Sequence, residues 1–195
     1  DEKIDSPEFK QWFGNSKVVD REDKPLIVYH GTENKFDKFK EGYQFFSENE
    51  SFAKNYGDVN KYYLSIQNLF DPFNKEHFDK LIDVVKEIVP DLAAAYEGAY
   101  YDLSYYDSLD YEYLDMMPRE TFYERYKDIL RYDSYNKFVS DPRLHEQTWL
   151  LFEKYADEIK SLGFDGLKIT EDDVQNYVAF NPTQVKSINN VGTFS

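Results

Sequence analysis

The sequence predicts an α+β fold, a β-sheet built from both ends of the chain with a helical segment between them. Three observations carry this. Short runs rich in β-branched and aromatic residues, bounded by Gly, Pro and Asn, recur before residue 70 and after residue 165. Between residues 75 and 162 the apolar residues repeat at helical spacing instead. The full 195 residues suit one domain with a real hydrophobic core, so we take 1–195 as a single domain with a helical, acidic insertion at 73–160.

The elements follow in order. Asp5-Ser6-Pro7 ahead of Glu8-Phe9-Lys10-Gln11-Trp12-Phe13 reads as a short helix, capped by Asp5 or Ser6 and stopped by Gly14. Leu26-Ile27-Val28-Tyr29 is a buried strand that runs into His30-Gly31-Thr32. Phe45-Phe46 is a second strand. Ser47-Glu48-Asn49-Glu50 after it has the form of a capping box, with Ser47 as cap of a helix over 48–56 and Gly57 as its stop. Tyr62-Tyr63-Leu64-Ser65-Ile66 alternates as a strand and ends at Asn68. His77 to Val89 has helical spacing closed by Pro90, and Leu144 to Leu162 is a helix with Gly163 just past its end. Strands return at 166–169, 177–180 and 185–188.

Composition excludes several classes of function. With 38 Asp and Glu against 23 Lys and Arg, the formal net charge is −15. Such a surface repels phosphate backbones and disfavours binding to nucleic acid through counterion release. At 41% hydrophobic and 18% aromatic the chain is too rich in core formers to be disordered. There is no Cys, hence no disulfide, thiolate nucleophile or thiolate metal site, and three scattered His give no metal motif. No window approaches the roughly 18 apolar residues of a membrane span. The opening Asp1-Glu2, without Met, leads us to expect a domain excised from a longer protein.

Two features point to chemistry. His30 ends a strand and is followed by Gly31, which lets a ligand approach the backbone. There an imidazole can hydrogen-bond a ligand hydroxyl while the Gly31 amide and carbonyl face a planar amide. A capped strand end is the other reading of the same residues. Phe45 on a strand and Tyr56 at the end of the following helix can flank one flat group, or simply pack in the core.

His30-Gly31-Thr32, then Phe45-Phe46-Ser47 with Tyr56 eleven residues after Phe45, then Tyr177-Val178-Ala179-Phe180, together resemble the ADP-ribosyltransferases. The likeness is to their histidine–tyrosine–glutamate branch, which includes diphtheria toxin and the poly(ADP-ribose) polymerases. It is closest to the domains of phage-related polyvalent and polymorphic-toxin proteins. Residues 9–20, 24–32, Asn68-Leu69-Phe70-Asp71, Gly163-Phe164-Asp165-Gly166 and 180–187 continue the likeness in order.

The resemblance implies a split, twisted antiparallel sheet with an NAD-binding cleft and no metal. It implies that His30 hydrogen-bonds the nicotinamide ribose and that Gly31 backbone groups hold the carboxamide. Tyr56 and Phe45 would stack on the nicotinamide ring, with Thr32 and Ser47 completing the NAD contacts. Ala53 stands where the polymerases carry a carboxamide-binding Ser. The family's catalytic Glu usually immediately precedes the Tyr-Val-x-Phe strand, and here that place is Asn176, with Gln175 before it. A neutral amide can bond a ribose hydroxyl but brings no full negative charge to an oxocarbenium ion, and loss of that carboxylate goes with mono-ADP-ribosylation among the relatives. Glu171, Asp172 and Asp173 lie just upstream as an alternative source of a carboxylate or as a solvated turn. Gln184 is a further candidate or a brace between strands.

The implied activity is mono-ADP-ribosylation by an effector or toxin domain. ADP-ribose would pass from NAD to a macromolecular acceptor, protein rather than nucleic acid, and nicotinamide would leave. The implied setting is the cytoplasm of the bacterial cell it acts in, after delivery by phage or secretion. Residues 87–118 hold eight acidic residues, many Tyr and no Lys or Arg. They read as a solvated helical cap or as a docking surface for a basic target or an antidote (immunity) protein. Two other functions stay open: a degenerate NAD-binding or protein-interaction module, and an acidic nucleic-acid mimic.

Overall fold

The computed structural model describes residues 3–33, 42–71, 74–85, 124, 133–134, 149–171 and 174–189. The chain divides into two compact units, Asp1–Phe70 with Gly163–Ser195, and Asp71–Leu162.

The first unit holds a seven-stranded sheet. Its strands are β1 (Val28–Gly31), β2 (Gln44–Ser47), β3 (Val59–Leu64), β4 (Leu69–Phe70), β5 (Gly166–Glu171), β6 (Val174–Ala179) and β7 (Val185–Ser187). Their order across the sheet is β4-β5-β6-β2-β1-β3-β7. This is the expected α+β class with one correction, because the sheet is mixed rather than wholly antiparallel. Strands β4 and β5 run parallel, pairing Leu69 with Gly166 and Phe70 with Leu167. Parallel neighbours need a long crossover, and the 92 residues of Asp71–Leu162 leave the sheet at β4 and return at β5.

Both sheet faces are covered by what the sequence pattern supplies. On one face Val28, Phe46, Leu64, Tyr177 and Ala179 alternate inward and close a core with Val18 and Ile66. The other face at β3 receives helix α1 (Pro7–Phe13) through Phe9, Phe13 and Tyr63. Their rings pack tightly, Phe9 stacked on Phe13 at 5.4 Å and edge-on to Tyr63 at 5.2 Å. Of the two expected caps it is Ser6 that serves, its Oγ accepting from the Phe9 amide at 3.1 Å.

One polar knot ties the two halves of this sheet. The Asp165 carboxylate accepts from the Asn68 amide at 2.7 Å and the Gln67 amide at 3.1 Å. The Asn68 side chain returns a bond to the Gly163 carbonyl at 2.7 Å. Gln184 donates to the carbonyls of Ser65 and Asp165, so its role is that of a brace. Gly163, at φ +95°, takes the left-handed conformation expected just past a helix.

Helix α2 spans Glu50–Lys54, shorter than the expected 48–56, and its cap is Asn49 rather than Ser47. Ser47 belongs to β2, and its Oγ accepts from the Asn49 amide at 3.1 Å. The chain stays extended through Ser47 because β2 pairs on both sides, so the helix starts two residues later.

In the second unit α3 (Lys75–Val84) is capped by Asn74, and α4 covers Trp149–Ser161. Leu81, Val85, Tyr155, Ala156 and Ile159 are buried there. His77 Nδ1 accepts from the Asp71 amide at 3.0 Å. Burial pushes the His77 imidazole below its ordinary pKa, Lys80 adds to this, and Asp71 and Glu76 oppose it. The acidic run 87–118, residues 86–89 and 144–148 of the expected helices, Asp172, Asp173 and the side chain of Glu171 lie outside the described residues.

Candidate active site at the opening between β1 and β2

The site is built where one strand pair stops pairing. Strand β1 pairs with β3 along its length, from Val28↔Tyr62 to Gly31↔Val59, but with β2 only at Tyr29↔Ser47. Beyond Tyr29 the β1–β2 ladder opens.

The phase of the ladder decides what faces that opening. The Thr32 amide donates to the Asp58 carbonyl at 2.9 Å, so alternation turns the main-chain groups of residues 28, 30 and 32 toward β3. Those of Tyr29 and Gly31 therefore turn toward β2. On β2 the Glu48 amide donates to the Gln175 carbonyl at 3.0 Å, which by the same rule turns the Phe45 carbonyl toward β1. A regular ladder would join that carbonyl to the Gly31 amide. Instead His30 Nδ1 reaches it, at 2.7 Å. A carbonyl only accepts, so Nδ1 carries the proton, and in the neutral ring Nε2 is an acceptor. The imidazole thus takes the bond that Gly31 would have made, and the Gly31 N–H and C=O face the opening.

Side-chain alternation sorts the remaining residues onto the two faces. Tyr29, Gly31, Phe45, Ser47 and Asn176 share one face, because Ser47 pairs with both Tyr29 and Asn176, and Phe45 with Val178. His30 lies on the other, its ring 5.3 Å from Phe46 and 6.3 Å from Tyr62. Gln175 shares that second face. His30 therefore approaches the opening from one side of the sheet, and Phe45, with Tyr56 beside Gly31, from the other.

Helix α2 covers the first face at Gly31. A Cβ at Gly31 would stand 2.5 Å from the Ala53 carbonyl oxygen and 2.7 Å from Tyr56 Cβ. Gly31 is thus glycine because the end of α2 lies on it, which corrects the reading that its bare Cα leaves room for a ligand. What the interrupted ladder leaves at this buried residue are its in-plane N–H and C=O. Tyr56 is fixed beside them. Its amide donates to Ala53 at 3.0 Å, and its carbonyl accepts from the Glu33 amide at 2.6 Å. Its ring is half-buried and tilted against Phe52 at 5.9 Å. Phe45 is 6% exposed, a buried floor rather than an open wall, and Ser47 is 1% exposed beside it. Thr32 sits at the mouth, its Oγ1 3.0 Å from where a Cβ on Gly57 would be.

Asn176 is fully buried at 0% exposure, in one cross-strand row with Tyr29, Ser47 and Ile169. The structure also brings in a residue that sequence reasoning passed over. Glu48 Oε1 accepts from the Gln175 amide at 3.0 Å, immediately before Asn176. The signal was present in Ser47-Glu48-Asn49-Glu50, but the whole run reads as helix capping until β6 is laid beside it.

Among the described residues no group of three or more His, Cys, Asp or Glu is placed to hold a metal ion. No described helix is long and apolar enough to cross a membrane.

The family model for the ADP-ribosyltransferase in polyvalent proteins matches residues 20–194. No curated protein and no solved structure matches the chain. The family match takes in every candidate residue from His30 to Asn176, and the chain belongs to this family of ADP-ribosyltransferase domains.

Proposed function

From that membership we propose that the domain is an NAD-dependent mono-ADP-ribosyltransferase, an effector or toxin domain that moves ADP-ribose from NAD to a macromolecular acceptor and releases nicotinamide. The observation that carries the reading is the pair of Gly31 main-chain groups released from the ladder by His30. One donor and one acceptor in one plane fit a carboxamide, and amides left in a gap are costly unless a partner fills it.

The other residues follow from this anchor. Tyr56, held at both ends of its peptide, presents a ring beside Gly31 that can stack on a flat heterocycle without first being ordered. Phe45 and Ser47 form the floor, with Ser47 paired beside Asn176. The Asn176 amide is a neutral hydrogen-bonding group, suited to orienting a ribose hydroxyl. The bond from His30 Nδ1 to the Phe45 carbonyl fixes the tautomer of the neutral ring, with Nε2 as its acceptor nitrogen, the form that suits a ribose hydroxyl. NAD supplies its own cationic leaving group, so little acid–base machinery is required and orientation does most of the work.

The buried neutral Asn176 supports a second reading, a module that binds NAD without turning it over. The test is nicotinamide release by the purified domain, with and without bacterial lysate, beside His30→Ala. Release that needs lysate and disappears in His30→Ala supports the transferase, and the labelled component identifies the acceptor. Release without lysate makes it an NAD hydrolase. NAD binding with no release in any condition establishes the second reading.

A further inference from the structure

We infer that Glu48 is a positioning residue, which fixes Asn176 by completing the β2–β6 ladder with its side chain. The inference rests on the functional reading of Asn176 above. At Glu48↔Gln175 a regular antiparallel pair would exchange two backbone bonds. One is made, from the Glu48 amide to the Gln175 carbonyl at 3.0 Å. The return bond from the Gln175 amide goes instead to Glu48 Oε1, also at 3.0 Å. The Glu48 carbonyl is unsuited to that bond because the chain is already turning, with Asn49 accepting from the Phe52 amide at 2.9 Å to start α2.

The consequence falls on the next residue. Asn176 follows Gln175 directly, pairs with Ser47 on β2 and is fully buried. On its other edge this end of β6 is held by β5, which pairs Ile169 with Asn176 and Thr170 with Gln175, so the distance of Asn176 from β2 depends on the bonds made on the β2 edge, and Glu48 is the pin on that edge. The described β6 begins only two residues earlier, at Val174, so the start of the strand has little other pairing on the β2 side. Glu48 is exposed, which separates its job from packing. A charge-assisted bond is stronger than a neutral one, but geometry asks only for an acceptor.

The test uses Glu48→Ala and Glu48→Gln in the full chain. Exchange of the Gln175 and Asn176 amides is read by NMR or mass spectrometry, and nicotinamide release is followed alongside. In Glu48→Ala the Gln175 amide should exchange about tenfold faster and kcat should fall by a similar factor with KM little changed. Glu48→Gln, which keeps an acceptor, should restore both. Unchanged Gln175 protection in Glu48→Ala would overturn the proposal. So would a Glu48→Gln variant as impaired as Glu48→Ala, since the charge rather than the bond would then matter. If wild type releases no nicotinamide, the transferase reading fails while amide exchange still decides the role of Glu48.

Discussion

Gly31→Ala tests the architecture of the site more directly than any change to a reactive side chain. The added Cβ would stand 2.5 Å from the Ala53 carbonyl oxygen, 2.7 Å from Tyr56 Cβ and 2.8 Å from the Tyr56 carbonyl oxygen. Two of these three are backbone atoms, which cannot rotate away as a flexible side-chain tip can. Ordinary carbon–oxygen contact needs close to 1 Å more, so the end of α2 must lift from β1. Overpacking of this kind costs about 1–3 kcal/mol. For a chain of this size that lowers Tm by about 2–12 °C. Because Tyr56 Cβ and its carbonyl are themselves among the crowded atoms, the displacement also strains the Glu33–Tyr56 bond and carries the ring away from the Gly31 main-chain groups. Thermal unfolding by circular dichroism measures the first effect, and titration with NAD the second. We expect both a lower Tm and NAD affinity reduced by tenfold or more. A Gly31→Ala protein that melts within a degree of wild type and binds NAD equally well would refute the close approach of α2 and the site built on it.

Two further outcomes follow from burial. Asn176→Asp nearly preserves volume but puts a carboxyl where exposure is 0%, so it should destabilise by about 1–3 kcal/mol or more near pH 7. The native state then favours the protonated acid, so the loss should shrink as pH falls into the carboxylate range. A denaturant series against pH checks this, and equal loss at pH 4 and 7 would contradict it. His77, held below its ordinary pKa chiefly by burial, binds its proton more readily unfolded than folded. Its contribution to stability is present above the ordinary imidazole pKa and declines as pH falls through the folded value. Exchange of the Asp71 amide, whose acceptor is the His77 Nδ1 lone pair, should accelerate over that window and lose this pH dependence in His77→Gln.

Much of the molecule was legible in the sequence. The fold class, a strand leading into His30 and Gly31 (read at 26–29, observed two residues later at Val28–Gly31), the Ser6 cap and the helix ending before Gly163 all follow from local rules. Each depends on residues within a few positions of one another, through side-chain period, caps and left-handed glycine. The His30, Gly31, Phe45 and Tyr56 spacing was likewise legible because it is carried by two short consecutive segments.

Only the tertiary structure decided how those residues meet. Whether Gly31 spends its N–H and C=O in a ladder depends on β2, and it is the His30 imidazole that takes the Phe45 carbonyl. Ser47-Glu48-Asn49-Glu50 satisfies the capping rule on paper, yet Ser47 remains in a strand and Glu48 bonds a residue 127 positions away. The parallel β4–β5 pair, joined across residues 71–162, is equally invisible to any local window. Local sequence determines what each segment can be. Hydrogen bonds between segments distant in the chain determine which backbone groups are left over, and in this domain those leftover groups are the basis of the proposed site.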